Sequence, residues 1–298
     1  MHLTFFLCKL CVQNLIVMQI IKNIHLQSPH QRPFLMDLFY EKNQQAKPVV
    51  IFVHGFKGFK DWGHFDLMGE KFAKAGFVFL KFNFSHNGTT IENPLEFDDL
   101  EAFGNNNFSK ELDDLGVVID WVSKAQENLP AEEVDTTQIN LVGHSRGGGT
   151  VILKAQEDTR ITKISTWAAV NEFGRYWSEE VAAKWQEAGV QHILNGRTGQ
   201  QMPLYWQLYE DYQANLGRLH IPSAVKALKI PFLLIHGTED PAVTYQSALD
   251  MHQWNFNTSL LTIKGGDHVF GGCHPWTKTH LAEDLQKVMA GTIQHFSN

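Results

Sequence analysis

Three residue types in this sequence, taken in chain order, could carry out acyl transfer: a serine on a glycine-rich turn, then an acid, then a histidine. The serine is Ser145, within Ile139-Asn140-Leu141-Val142-Gly143-His144-Ser145-Arg146-Gly147-Gly148-Gly149. Gly-x-Ser-x-Gly after an apolar run and before a helical period sets a hydroxyl on a sharp strand-to-helix turn. Side chains at 143 and 147 would collide with the adjoining strand and helix, so glycine stands at both. The helix that begins there aims its amide dipoles at negative charge developing beside it. A plain helix N-cap is the other use of a serine in such a turn.

The acid and the base should sit on loops at the carboxyl ends of strands. The run Ile230-Pro231-Phe232-Leu233-Leu234-Ile235-His236-Gly237-Thr238-Glu239-Asp240-Pro241 is an apolar strand ending in a polar turn. Asp240 or Glu239 could hold a histidine there. Asp240 is preferred, because a shorter side chain is a stiffer orienter, which leaves Glu239 in solvent. There are 15 histidines, so position must choose among them. His268 stands on the Gly265-Gly266 exit of the last apolar strand, 28 residues after Asp240. An imidazole there can take a proton from Ser145 and return it to a leaving group. His252, His274 and His280 read as surface or helix residues, and Asp267 as a residue that shapes the loop.

A tetrahedral oxyanion needs two donors. One is the backbone N–H of Arg146, next after the serine, and the other should come from a loop after an earlier strand. Val49-Val50-Ile51-Phe52-Val53-His54-Gly55-Phe56-Lys57-Gly58 supplies that loop, with the N–H of Phe56 as donor. His54 reads as a hydrogen-bonding buttress of the loop.

These residues need a scaffold. Short apolar runs bounded by turn residues alternate with segments of helical period. Candidate strands are Gln19–His25, Phe34–Tyr40, Val49–His54, Phe77–Phe82, Gln138–Val142, Ile164–Ala168, Phe232–His236 and Ser259–Ile263. Candidate helices are Trp62–Ala75, Ser109–Gln126, Ser145–Gln156, Thr244–Trp254 and Trp276–Thr292. In the second of these, Glu111, Asp113 and Asp114 suit a helix N-terminus. Val-Val-Ile-Phe-Val is apolar on both faces, the mark of a strand covered on both sides in a parallel sheet. The alternation gives one doubly wound α/β domain over residues 18–298.

Residues 171–225 break the alternation and read as a helical insertion capping the sheet. The segment carries Phe173, Tyr176, Trp177, Trp185, Tyr205, Trp206, Tyr209 and Tyr212. Most should pack the cap onto the domain. Trp177, Trp206 and Tyr209, with Phe56, are the candidates for lining an apolar substrate pocket.

Composition narrows the function. Of 298 residues, 25 are Lys or Arg and 32 are Asp or Glu, a net charge of −7 with no basic run, so nucleic acid and anionic membranes are poor partners. Three cysteines, Cys8, Cys11 and Cys273, make no disulfide framework and fit a reducing, cytoplasmic compartment. Residues 1–17 are apolar but broken by Lys9, Gln13 and Asn14, which suits neither a membrane span nor an ordinary signal peptide. They read as a non-conforming extension, with an atypical export signal as the rival. His268, Cys273 and His274 lack paired ligand spacing, so no metal is expected. No phosphate-binding glycine fingerprint is present, so no nucleotide cofactor is expected.

The blocks Val-His-Gly-Phe-Lys-Gly, Gly-His-Ser-Arg-Gly-Gly, His-Gly-Thr-Glu-Asp-Pro-Ala-Val and Gly-Gly-Asp-His-Val-Phe stand in the order seen in the α/β-hydrolase superfamily, over about residues 34–296. The chain resembles its bacterial cinnamoyl/feruloyl esterase-like, carboxylesterase-like and dienelactone-hydrolase-related members. The resemblance implies a mostly parallel eight-stranded sheet with helices on both faces and a helical cap. It implies Ser145 as nucleophile, Asp240 as acid, His268 as base, and Phe56 and Arg146 as oxyanion amides. Serine at the elbow, where dienelactone hydrolases have cysteine and dehalogenases aspartate, argues against those two chemistries. The expectation is a cofactor-independent serine esterase acting on a small-molecule ester, as a monomer or homodimer. A peptidase or amidase with the same triad is the alternative, and a non-catalytic binding scaffold a third reading.

Overall fold

The computed structural model describes residues 17–298 apart from 125 and 176. The expected extension at 1–17 therefore lies outside the described residues except for Val17, and so does Tyr176. Val17 begins strand β1, Val17–Gln27, which pairs antiparallel with β2, Pro33–Lys42. Then come β3 (Lys47–Val53), α1 (Phe65–Lys74), β4 (Val78–Phe82), α2 (Leu100–Gly104), α3 (Phe108–Val122), β5 (Val134–His144), α4 (Arg146–Glu157) and β6 (Ile161–Trp167). The insertion follows, with α5 (Glu179–Ala188), β7 (Val190–Leu194), β8 (Gln201–Tyr205), α6 (Gln207–Ala214), α7 (Leu216–Leu219) and α8 (Ile221–Ala227). The chain ends with β9 (Phe232–Gly237), α9 (Gln246–Trp254), β10 (Thr258–Ile263) and α10 (Glu283–Ser297).

Eight strands form one sheet in the order β1-β2-β4-β3-β5-β6-β9-β10. The pairs β1–β2 and β2–β4 are antiparallel, and every later pair is parallel. β3 shows why helices must cover both faces. Side chains alternate across a strand. Val49, Ile51 and Val53 point into one core, with Leu112 and Val118 of α3 and Val151 of α4. Val50 and Phe52 point into the other, with Met68 and Phe72 of α1 and Val288 and Met289 of α10. This is the mostly parallel eight-stranded sheet with helices on both faces expected from the sequence.

Three local outcomes differ from the sequence reading. The insertion is helical as expected but also holds a hairpin, in which β7 and β8 pair antiparallel. The last helix begins at Glu283, later than the expected Trp276. The intervening loop covers the turn before α1: His274 Nδ1 accepts the Gly63 N–H at 2.8 Å, and the rings of Trp276 and His64 lie 5.3 Å apart. In α3, Asn107 caps the N-terminus by accepting the Lys110 N–H at 2.9 Å. Glu111 and Asp114 are buried there, so they answer to specific partners more than to the helix dipole.

A partly buried ion network ties the sheet edge to the β3–α1 loop. Asp37 of β2, Asp61 in that loop and Asp66 of α1 have carboxylates close enough together to suit a cation. Three ammonium groups meet them: Lys60 and Lys81 each reach Asp37 and Asp61, and Lys22 reaches Asp37 and Asp66. Burial would raise the Asp61 pKa, but Lys81, Lys60 and Lys22 hold it well below the usual carboxylate range. The same loop carries Phe56, so the network helps fix where that residue stands.

Candidate active site

Ser145 occupies the turn between β5 and α4 with φ 56° and ψ −119°. A non-glycine residue there is strained. The surrounding backbone holds it: its N–H donates to the Trp167 carbonyl of β6 at 2.8 Å, and its carbonyl accepts from Gly148 and Val170. A Cβ on residue 143 would lie 2.2 Å from the Gly147 oxygen, and one on residue 147 would lie 2.4 Å from the Val53 oxygen. Both glycines are therefore required by close approach. The Ser145 side chain makes no cap hydrogen bond to α4, which leaves the N-cap use of this serine without support.

The Ser145 hydroxyl lies 3.0 Å from His268 Nε2, and His268 Nδ1 lies 2.8 Å from Asp240 Oδ2. A carboxylate only accepts, so Nδ1 carries the proton and Nε2 is left to accept from the serine. Asp240 Oδ1 accepts the N–H groups of Ala242 and Val243, each at 2.8 Å. His236 Nε2 lies 3.3 Å from Asp240 Oδ2. Burial works to raise the Asp240 pKa, but donors from His236, His268 and Val243 keep it well below the ordinary range. Glu239, the other acid considered from the sequence, is exposed.

Arg146 opens α4, and the first N–H groups of a helix have no partner within it. Residues 55–58 form a turn closed by the Gly58 N–H to the Gly55 carbonyl at 3.0 Å, a bond that leaves the Phe56 N–H unused. The Arg146 guanidinium lies over the Phe56 ring at 5.1 Å and the Phe108 ring at 4.4 Å, and it pairs with buried Glu111 at 3.0 Å. The side chains of the two candidate oxyanion residues thus brace each other.

Sequence reasoning missed two histidines, the half-buried His144 and the buried His236. His144 Nε2 donates to the His268 carbonyl at 2.7 Å, and burial pushes its pKa down to about 3. It is a neutral donor that holds the His268 loop. His236 Nε2 donates to the Val243 carbonyl at 2.8 Å and so fixes the loop cradling Asp240. Each lies within a motif block read from the sequence, but neither partner is close enough in sequence to signal the bond. His54, read as a buttress, donates from Nδ1 to the Gly55 carbonyl at 2.9 Å, and burial lowers its pKa to about 4.

Two cavities meet at Ser145, and Phe56, Lys57, Ser145 and His268 line both. The smaller, of about 150 Å³, runs toward Trp62, Phe65 and Met68. The larger, of about 580 Å³, is walled by Phe108 and, from the insertion, Phe173, Trp177, Ile193 and Leu204. Of the four residues expected to contact substrate, Phe56 and Trp177 face these spaces. Trp206 and Tyr209 do not line them. They stack on each other at 4.4 Å and pack against Trp185, in a layer behind Trp177. Aromatic composition marked the segment but could not say which rings would turn inward.

The sheet order and the strained serine turn define the class: this chain has the α/β-hydrolase fold. Its family follows from comparison with known proteins. The family model described as BD-FAE matches residues 36–255, and the chain belongs to that family. A 2-hydroxymuconate semialdehyde hydrolase of Pseudomonas putida is 35% identical over 65 residues, a match that covers 22% of this chain and only 21% of that protein. Among solved structures, Est1E of Butyrivibrio proteoclasticus with ferulic acid bound superposes with a TM-score of 0.67 at 19% identity, over 92% of this chain and 100% of that one. A Klebsiella pneumoniae protein described as a dienelactone hydrolase gives 0.59 at 14% identity, over 94% and 99%. Among the described residues, no helix is long and apolar enough to cross a membrane.

Proposed function

We propose that this protein hydrolyses carboxylic esters of small to medium acyl or aryl-acyl groups through Ser145, His268 and Asp240. The observation that carries the reading is the continuous hydrogen-bond chain from hydroxyl to imidazole to buried carboxylate, at 3.0 Å and 2.8 Å. Ser145 Oγ attacks the ester carbonyl carbon while His268 Nε2 takes its proton. The Phe56 and Arg146 N–H groups receive the oxyanion, each such donor contributing about 3 kcal/mol to lowering the barrier. His268 passes the proton to the departing alcohol, leaving an acyl-enzyme. Water then attacks with His268 as base, and Ser145 is released. Asp240 keeps the proton on Nδ1 and stabilises the imidazolium that forms.

Membership of the BD-FAE family and the ferulic acid held by Est1E support ester chemistry and an aryl-acyl substrate. The larger cavity, with Trp177 on its wall, is the acyl site in this reading. The sparse cysteines of the chain suit a cytoplasmic enzyme.

A fluorophosphonate probe tests the reading. It should label the wild-type chain on Ser145 and leave Ser145→Ala unlabelled. An activated aryl ester should give a burst equal to the enzyme present. Full esterase activity in Ser145→Ala would reject the mechanism.

A further inference from the structure

Lys57 is a charged cleft residue whose chemistry the ester reaction leaves unused. It follows Phe56 directly and lines both cavities that meet at Ser145. It holds the third position of the Gly55–Gly58 turn with φ 58°. That position favours glycine or asparagine, and a lysine is strained there. Strain of this kind gathers at functional sites.

Among the described residues, no carboxylate forms an ion pair with Lys57. Its ammonium donates to the Leu194 carbonyl of β7 at 3.2 Å, which uses one of three donors. Burial pushes its pKa down, and no carboxylate acts to raise it. The guanidinium of Arg146, the neighbouring buried cation, is already paired with Glu111. The larger cavity that Lys57 lines has apolar walls at Phe56, Ile193 and Leu204, and carries the charged side chains Glu172 and Arg175 elsewhere on its lining. A cation at the rim shared by two cavities, with an apolar wall beside it, favours a ligand that brings an anion with it.

We propose that Lys57 makes this cleft selective for esters whose acyl chain ends in a carboxylate, that is, half-esters of dicarboxylic acids. The acyl chain lies in the larger cavity, and its far carboxylate meets the Lys57 ammonium beside the Leu194 carbonyl. This rests on the ester reading above and adds the substrate class.

The test compares ethyl half-esters of succinic, glutaric and adipic acid with the ethyl esters of the matching monoamides, which are neutral and of the same shape. The whole chain is used, and ethanol release is followed. The wild type should favour the acid over the amide about tenfold in kcat/KM for at least one chain length, the scale of one hydrogen bond to a charged group. Lys57→Gly suits the turn's backbone and should fold. It should lose that preference, while Lys57→Arg should keep it, and added salt should weaken it. The proposal is overturned if unlabelled wild type, from a preparation whose Ser145 reacts with the fluorophosphonate, shows no preference at any length. It is also overturned if Lys57→Gly keeps the preference, or slows acid and amide equally. Failure of the fluorophosphonate to label Ser145 would instead bring down the ester reading, and this proposal with it.

Discussion

Replacing Asp240 with asparagine keeps the side-chain shape and inverts what half of it can do. In the native site Oδ1 accepts two backbone N–H groups at 2.8 Å, and Oδ2 accepts from His268 Nδ1 at 2.8 Å. The backbone donors of Ala242 and Val243 cannot become acceptors. The asparagine carbonyl must therefore face them, and its NH₂ must face His268. Imidazole can adapt by moving its proton from Nδ1 to Nε2. That tautomer presents an N–H to Ser145 and cannot take the hydroxyl proton. The loss should approach the roughly 10⁴-fold drop in kcat seen when a triad carboxylate becomes an amide, equal to about 5 kcal/mol of barrier. The protein should still fold, since the backbone donors remain satisfied. The assay is kcat on an aryl ester, with circular dichroism for folding and ¹⁵N NMR of His268 for the tautomer. Glu239→Gln, an exposed neighbour, should be close to wild type. A folded Asp240→Asn variant within about tenfold of wild-type kcat would refute the reasoning.

Other substitutions probe the scaffold. Gly147→Ala places a Cβ 2.4 Å from the Val53 oxygen and 2.5 Å from the His54 oxygen. It should lower stability by about 1–3 kcal/mol in urea unfolding and reduce kcat by about 100-fold as the Phe56 loop shifts. Asp37, fully buried among Lys22, Lys60 and Lys81, should cost about 3–5 kcal/mol when changed to Asn, measured the same way. Asp61 has a folded pKa below its unfolded one, so its contribution is complete above about pH 4 and is lost as pH falls toward the folded value. Asp61→Asn should accordingly be less stable at pH 7 and show a flatter acid limb in thermal unfolding. Trp177→Ala should raise KM most for bulky acyl groups. Trp206→Ala, behind the cavity wall, should lower stability by about 2 kcal/mol, short of a full core truncation, and leave the ranking of substrates as it was.

Much of the frame was legible because it depends on local pattern. Val49–Val53 is apolar at every position, and a strand with that pattern has to be covered on both faces. The hairpin was not legible. Val190–Leu194 and Gln201–Tyr205 are short and half-exposed, and they carry no strong alternation. The bounds of α10 differ from the expected ones because apolar Leu281 continues the helical spacing of Leu285 and Val288 back into a loop whose His274 and Trp276 pack instead on the β3–α1 turn.

By itself the sequence determined the class of chemistry to look for, through a serine between two glycines at a strand-to-helix junction and acid and histidine blocks after later strands. Those signals are short-range and survive in one dimension. Tertiary structure alone decided the company each residue keeps: His144 on the His268 carbonyl, Glu111 on Arg146, Trp206 behind the cleft while Trp177 faces it, and Lys57 where two cavities meet. The reason is geometric. Strand order and crossover connections bring together groups that lie 35 and 124 residues apart, and no local periodicity records which distant surface a side chain will meet.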